Sequence, residues 1–185
     1  IVFMIYHFTE AHLWMLPYFR ENFIQNIALQ WKSGGSYVGS WNMLVYGTAL
    51  FVMSKISGHE SYAVSKKAFF FYFLGLTNLM FGWAHHIYIV PTAPWIRYFA
   101  YGISMTEWII LFSIIYDWKK SLSTAKKTEF SLAYKLMMMA DFWVFLNIVL
   151  ALLLSIPAIN LFTHGTHITV AHSMGTTIGI NTLIL

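Results

Sequence analysis

Histidines within apolar sequence are the residues of this chain with the most distinctive chemistry. His85 and His86 are adjacent near the end of one apolar run, and His164, His167 and His172 lie in a second stretch downstream. An imidazole in hydrocarbon is costly unless it has a partner, so ionisable residues inside a membrane are candidates for function. Imidazole is also a common ligand of iron, copper and zinc and the usual axial ligand of haem. The pattern raises the hypothesis that the two stretches meet at one metal site.

The adjacent pair favours metal binding more strongly than a lone histidine would. Neighbouring residues on a helix point about 100° apart, so His85 and His86 could flank one metal ion in the wedge between them. The alternative is structural, with one ring bonded to a backbone carbonyl and the other lining a water cavity. For a single histidine that alternative would be preferred, but for a pair in hydrocarbon we favour the metal.

His172 and Met174 are two residues apart, so on a helix they point to nearly opposite sides and each could serve a different prosthetic group. A single methionine is more typical of core filling. The same stretch is rich in small residues, which leave room either for a flat macrocycle or for close packing against another helix. These small residues are Gly165, Ala171, Ser173, Gly175 and Gly179.

The composition indicates a polytopic membrane protein. Of 185 residues, 58% are hydrophobic, 19% aromatic and only 10% charged, whereas about a quarter of a soluble domain is charged. The chain has no cysteine, which excludes disulfides, thiolate ligands and iron–sulfur clusters on it. Its net charge of +4 comes from a few lysine-rich loops and indicates no nucleic-acid partner. Because the chain begins and ends within apolar runs, we expect it to be a fragment of a longer protein.

The apolar runs predict an all-α transmembrane bundle, one membrane domain over residues 1–185 with about five spanning helices. About twenty apolar residues suffice to cross about 30 Å of hydrocarbon. A polar stretch over 20–35 predicts a loop before the first helix, and Pro91 and Pro94 are expected to end the second. The predicted helices are 36–56, 68–90, 95–118, 136–162 and 166–185.

The lysines predict the topology of these helices. Eight of the eleven basic residues fall in the two alternate loops that follow the first and third predicted helices, and lysine-rich loops face the cytoplasm. His85, His86 and His172 would then lie at similar depth in the outer half of the bilayer. The predicted topology therefore allows these histidines to converge.

Both histidine stretches resemble parts of one enzyme superfamily. The segment HHIYIVPTAPWIRYFAYGISMTEW, residues 85–108, is similar to the part of the haem–copper oxidase catalytic subunit (subunit I) that carries two of three histidines on a non-haem metal. The segment THGTHITVAHSMGTTIGINTLIL, residues 163–185, is similar to the helix that carries the proximal histidine of the high-spin haem. The large subunit of bacterial nitric oxide reductases fits best, through THGT…T.AH and a Ser-x-x-Glu at 104–107. The resemblance covers most of residues 35–185 and implies about five helices of a roughly twelve-helix fold.

The resemblance implies a role for each candidate residue. His85 and His86 would ligate a non-haem iron or copper, and His172 would be the axial ligand of a high-spin haem. Met174 stands where the family carries a histidine for a second, low-spin haem; a thioether can also ligate haem and raises its potential. Glu107 matches a buried glutamate near the metal, where it could relay protons. Without the resemblance, a structural hydrogen bond to a neighbouring helix would explain Glu107 equally well.

The resemblance places the tract from His164 to His167 at the outer rim of the haem site. Propionate groups of the haem would emerge there, and His164, His167, Thr163 and Arg97 could offer donors to them. One departure concerns the third metal histidine, which in the family lies about fifty residues before the pair. That position falls here on Gly34-Gly35.

The missing histidine predicts a two-histidine site completed by a non-histidine group or by water. His7, Glu10 and His12 are the candidates in this chain, because they precede the first predicted helix on the outer side. Such a site should bind its metal more weakly than one with three histidines.

The leading interpretation is a membrane-bound oxidoreductase that reduces nitric oxide to nitrous oxide in a bacterial inner (cytoplasmic) membrane. Its partners would be the lipid bilayer, other helices of the same subunit, and a cytochrome c subunit or quinol as electron donor. One alternative is a terminal oxidase reducing O₂ to water, which needs a redox-active tyrosine; neither Tyr37 nor Tyr46 stands at the position of that pattern. Another is a degenerate haem-binding subunit without turnover, and a transporter has the least support.

Overall fold

The computed structural model describes residues 1–59, 64–81 and 93–185, apart from the side chains at 97, 104, 108 and 125. Every regular element in these residues is helical, which confirms the predicted all-α class there. A 3₁₀ turn, His12–Met15, follows the first α-helix, and a π-helical segment, Gly175–Asn181, precedes the last. The α-helices are α1 Val2–Ala11, α2 Pro17–Arg20, α3 Phe23–Ser57, α4 Lys66–Phe81, α5 Pro94–Ser121, α6 Thr124–Glu129, α7 Ser131–Leu154, α8 Pro157–Thr163, α9 His167–Met174 and α10 Thr182–Ile184.

Prolines and capping residues set where several helices start. Pro17, Pro94 and Pro157 are the first residues of α2, α5 and α8, positions where the missing backbone N–H has no helical partner to lose. Ser123 and Thr166 precede α6 and α9, and each side chain accepts a backbone N–H of the first turn. These contacts satisfy N–H groups that a helix start leaves unpaired.

The polar stretch predicted as a loop over 20–35 is mostly helical, because α3 begins at Phe23. Its polar side chains have partners that are compatible with a helix. The Ser33 hydroxyl donates to the carbonyl of Leu29 at 2.6 Å, and the ammonium of Lys32 lies 2.5 Å from Oε1 of Glu10. Polarity alone therefore does not mark a loop here.

The helix expected over 136–162 is divided in the structure. α7 ends at Leu154 and α8 starts at Pro157, because a proline cannot donate to the helical ladder and disfavours helical geometry in the residue before it. The helix expected over 166–185 is likewise divided into α9, the π-helical segment and α10. The helix expected over 95–118 corresponds to α5, and that over 68–90 is described only as far as Phe81.

The described residues form two compact units, and the division passes through α3, α4 and α5. The first unit contains Ile1–Leu44 and Phe73–Glu107. Within it α3 and α4 are in close contact: the Ser36 hydroxyl donates to the carbonyl of Leu79 at 2.9 Å. A methyl group at Gly39 would lie 3.4 Å from the Leu79 Cα, so the helices approach at a residue that has no side chain.

The second unit contains Val45–Tyr72 and Trp108–Leu185. Trp118 is fully buried in it, and its indole N–H donates to the carbonyl of Met53 at 3.0 Å. This bond joins the last part of α5 to the last part of α3. A buried tryptophan needs such a partner for its N–H, so the bond accounts for the one polar atom that the ring carries into this core.

Two of the described helices are long and apolar enough to cross a membrane. They are α5, with 28 residues, and α7, with 24 residues and a mean hydropathy of 2.2. Their exposed side chains are largely apolar, as in Ile109 at 68% and Phe142 at 57% exposure, which suits contact with lipid. The count of about five spanning helices stays a prediction beyond these two.

Candidate metal centre

The histidine pair of the predicted metal site, His85 and His86, lies outside the described residues. Within residues 1–59, 64–81 and 93–185, no three His, Asp or Glu side chains are close enough together to hold a metal ion. The fit of the pair to a non-haem metal is therefore untested by the geometry. What the structure does describe is the surroundings of Glu107, His172 and the candidates for a third ligand.

Glu107 is buried on α5, with 6% of its surface exposed. The side-chain amide of Asn78, on α4, donates a hydrogen bond to Oε2 of Glu107. The other oxygen faces Gly75, one turn earlier on α4: a methyl group at that glycine would lie 3.8 Å from Oε1. The helix segment that leads in sequence toward His85 thus contacts one oxygen of the predicted catalytic carboxyl and approaches the other.

His172 lies on α9, and its Nδ1 atom is buried without a hydrogen bond to any described residue. A buried polar atom without a partner is uncommon in folded proteins. A ligand imidazole needs a ring nitrogen that the protein itself leaves available, and the Nδ1 atom of His172 fits that requirement. Met174, two residues on, is 50% exposed.

The small residues after His172 are used for helix packing in this part of the chain. A methyl group at Gly175 would clash with the side chain of Asn147 on α7, and one at Gly179 would clash with the ring of Trp143. Of the two explanations for these glycines, close helix–helix contact is the one that the described geometry shows. Ala171 and Ser173 are exposed, so small side chains are also present on the surface of α9.

A second contact anchors the same helix. The amide of Asn147 donates to Oγ1 of Thr176 at 2.8 Å, and that hydroxyl lies 3.3 Å from the carbonyl oxygen of His172. Asn147 is fully buried on α7. The backbone that carries the predicted haem ligand is therefore tied to a membrane-spanning helix through one amide and one hydroxyl.

The threonines of the THGTHIT stretch build the turn before α9. The hydroxyls of Thr166 and Thr169 both donate to the carbonyl of Thr163, each at 2.7 Å. Gly165 has a φ of +74°, a backbone conformation that glycine adopts without steric cost. His164 is half-buried at the end of α8, and His167 is exposed as the first residue of α9. Both histidines flank this turn, and the Arg97 side chain is not described.

Two of the three candidates for a missing ligand form a cluster with a lysine. Nδ1 of His7 lies 2.9 Å from Oε2 of Glu10, and the Lys32 ammonium lies within 2.6 Å of both Glu10 oxygens. Burial acts to raise the pKa of Glu10, but the hydrogen bonds and charges of Lys32 and His7 outweigh it and lower the pKa. His12 instead contacts the carbonyl of Phe8 at 2.8 Å on the exposed side of the turn.

Both oxygens of the Glu10 carboxylate already have partners in this cluster, the Lys32 ammonium and the His7 ring. A metal ion at Glu10 would therefore have to displace the Lys32 ammonium. The position of the cluster relative to His85 and His86 lies outside what the structure describes. Completion of the metal shell by a non-histidine group or water stays a prediction.

Three polar residues of the site region were not identified from the sequence. Asn78 and Asn147 contact Glu107 and Thr176, and Asp141 is buried on α7. A signal existed for each, since an amide or carboxylate inside an apolar run is costly without a partner. The sequence could not give the partners, which lie 29 residues away for both asparagines.

Comparison with known proteins adds one finding. A family model described as Cytochrome C and Quinol oxidase polypeptide I matches residues 1–185. No curated protein and no solved structure matches the chain.

Proposed function

The chain belongs to the cytochrome c and quinol oxidase polypeptide I family, and from this premise we propose that it reduces nitric oxide to nitrous oxide. It is thus a haem–copper oxidase-type membrane oxidoreductase, from a family that binds haems and a further metal. The proposed reaction is 2 NO + 2 e⁻ + 2 H⁺ → N₂O + H₂O. Electrons would come from a cytochrome c subunit or quinol, and the membrane would be a bacterial inner membrane.

Three histidines would hold the cofactors. His85 and His86 would bind the non-haem iron or copper, and His172 the high-spin haem. The buried Nδ1 atom of His172, which has no partner among the described residues, supports the last assignment. Met174 would be the ligand of a second, low-spin haem, and His164 and His167 would flank the haem rim. When bound, these groups would supply the electrons and the coordination sites for the diatomic gas.

The observation that supports a proton-consuming reduction of a diatomic gas is the burial of Glu107, whose Oε2 accepts a hydrogen bond from the Asn78 amide. The choice of nitric oxide over oxygen rests on the resemblance to nitric oxide reductases at residues 104–107. Nitrous oxide formation consumes protons inside the membrane, and a buried carboxyl is a group that can hold one there. Asn78 supplies a donor that holds one oxygen in place, and Gly75 on the same helix lies beside the other. We propose that Glu107 is the proton-carrying residue nearest to the reaction.

Reduction of O₂ to water is the competing reaction. It needs a redox-active tyrosine, and the buried candidate, Tyr46, packs its ring against Phe71 at 5.2 Å between centroids. That apolar contact suits a structural residue. Tyr37 has a ring contact with Phe8 at 6.4 Å.

The experiment is a comparison of substrates on purified enzyme that contains both metals. Consumption of nitric oxide and of oxygen would be recorded with the same electron donor. We expect nitrous oxide as the product from nitric oxide and a much slower consumption of oxygen. Rapid oxygen consumption with water as product would overturn the choice of substrate, and turnover of neither gas would support a degenerate haem-binding subunit.

A further inference from the structure

Asp141 is a buried carboxylate that the function proposed above does not use. It lies on α7 and is 7% exposed, although that helix is apolar enough to cross a membrane. Acidic residues in such helices are rare, and they pair with a cation or mark ion and proton pathways. A cation is present: Oδ2 lies 3.3 Å from the ammonium of Lys119 on α5.

The other oxygen of Asp141 has no such partner. Oδ1 is buried and accepts no hydrogen bond from the described residues. An unpaired oxygen of a buried carboxylate costs free energy, which a water molecule or a bound proton removes. Asp141 lines a cavity of about 20 Å³, and that is room for one water molecule.

The cavity beside Asp141 is lined mostly by apolar side chains. Side chains of α3, α5, α7 and the segment from Gly175 onward surround it, and Asp141 is the one charged residue among those that line it. The phenol of Tyr46, on α3, is the other titratable group of the lining. Lys119, from α5, is 47% exposed, so it connects the carboxylate to the lysine-rich end of the helices.

The same buried face of α7 leads from Asp141 to the helix of the predicted haem ligand. Asn147 lies six residues further on, about 9 Å along the helix axis at 1.5 Å per residue. Its amide contacts Thr176, whose hydroxyl lies 3.3 Å from the His172 carbonyl. The Asn147 Oδ1 atom is buried and also accepts no bond from the described residues.

We propose that Asp141 takes up protons from the lysine-rich side of the membrane and passes them, through water in this cavity, toward the helix that carries His172. The carboxylate binds one proton from water on that side and later releases it to the reduction, which consumes protons. No bond other than O–H forms or breaks in this step. The need for protons rests on the proposed function, whereas the ability of Asp141 to bind one does not.

The test compares Asp141→Asn with Asp117→Asn in the intact, metal-loaded enzyme. Asp117 is a matched control on α5, since it also pairs with a lysine, Lys67 at 2.5 Å, but is 51% exposed. We expect Asp141→Asn to slow proton uptake and turnover at least tenfold with haem and metal content unchanged. Asp117→Asn should retain both, and Asp141→Glu, which keeps a titratable carboxyl, should restore part of the rate.

Infrared difference spectra between acidic and alkaline samples give a readout that needs no turnover. In a Glu107→Gln background, which removes the other buried carboxyl of the described residues, a carbonyl band of a protonated carboxyl that shifts in D₂O should be present with Asp141 in place and with Asp117→Asn, and absent with Asp141→Asn. If the band persists in Asp141→Asn, the proposal is overturned, whichever gas the enzyme reduces.

A structural role for Asp141 predicts a different set of results. Asp141 would then serve only to pair with Lys119, and Lys119→Met would impair the enzyme as much as Asp141→Asn, by lowering its thermal stability. Unchanged proton uptake in Asp141→Asn, together with a lower unfolding temperature in both variants, would overturn the proposal.

Discussion

The side-chain amide of Asn78 donates a hydrogen bond to Oε2 of Glu107, and this one contact joins α4 to α5 at a buried position. A carboxylate that accepts a bond from a half-buried amide is held in one orientation. Loss of the Asn78 amide leaves the Glu107 carboxylate buried without this donor, at a cost of about 1–3 kcal/mol. The pair therefore combines a structural contact with the proposed chemistry, and substitutions can separate the two.

Glu107→Gln keeps the volume and one acceptor oxygen while removing the titratable proton. If Glu107 carries protons, turnover should fall at least tenfold while haem and metal content and the unfolding temperature stay close to the wild type. Stopped-flow consumption of nitric oxide with metal analysis of the same sample checks this.

Asn78→Leu is the companion variant for the structural part of the contact. It should lower the unfolding temperature more than Glu107→Gln does, because Leu leaves Glu107 buried without its donor. Nearly normal turnover in Glu107→Gln would show that Glu107 serves only as a structural residue.

The histidine pair should be specific for the non-haem metal. Replacement of either His85 or His86 by Ala should remove that metal and leave haem content largely intact, since the haem would be bound through His172. Metal analysis and a haem assay on the same preparation measure both. His59→Ala is the control, because that histidine is exposed and belongs to none of the proposed sites.

Loss of haem with retention of the second metal in His85→Ala or His86→Ala would contradict this prediction. It would show that the pair belongs to the haem and not to the non-haem metal.

The glycines of the π-helical segment should be sensitive to a single methyl group. Gly179→Ala places a methyl group against the ring of Trp143, and overpacking of this kind costs about 1–3 kcal/mol. Gly47→Ala meets no atom within 4 Å and should be neutral or stabilising, by up to about 1 kcal/mol from helix propensity. Thermal unfolding in detergent compares the two, and equal unfolding temperatures would contradict the close contact at Gly179.

The cluster of Glu10 with Lys32 and His7 predicts a loss of stability in acid. The pKa of Glu10 is lowered in the folded chain, so its ionisation stabilises the fold above the ordinary pKa of 4.5 and ceases to do so as pH falls through the folded pKa. Glu10→Gln should therefore unfold at a lower temperature than the wild type near pH 7. The difference should shrink as the pH is lowered below 4.5.

Glu21→Gln is the control for this pH dependence. Glu21 pairs with Arg20 at 3.5 Å, and both side chains are more than half exposed, so the pair contributes little. A gap between wild type and Glu10→Gln that is the same at both pH values would contradict the assignment of the effect to the Glu10 charge.

The all-helical fold class could be predicted from the sequence because few folds other than helices are open to long apolar runs with few charges. Breaks inside those runs are harder to predict: the sequence predicts one helix through Pro157, whereas this proline starts α8. The sequence predicts a loop before residue 36 because it does not show that Lys32 has a partner in Glu10. The sequence shows local helix propensity, but it does not show which residues far apart in the chain pair with each other.

The same holds for the candidate site. Residues with a local sequence signal could be predicted, and residues whose role depends on a partner far along the chain could not. Residue types and the resemblance identified Glu107 and His172, because each is a polar residue at a recognisable place in an apolar run. Asn78, Asn147 and Asp141 were not identified, since an amide or carboxylate gains its role from a partner on another helix. The sequence also left the glycines after His172 undecided, and the contact of Gly175 with Asn147 shows packing there.

The most direct test of the account is the optical spectrum of the purified protein before and after addition of carbon monoxide. We expect a high-spin haem whose reduced spectrum shifts with carbon monoxide, and loss of that shift in His172→Leu while any low-spin haem signal remains. An unchanged shift in His172→Leu would mean that the haem is held elsewhere. A protein that is purified intact and contains no haem would contradict the account.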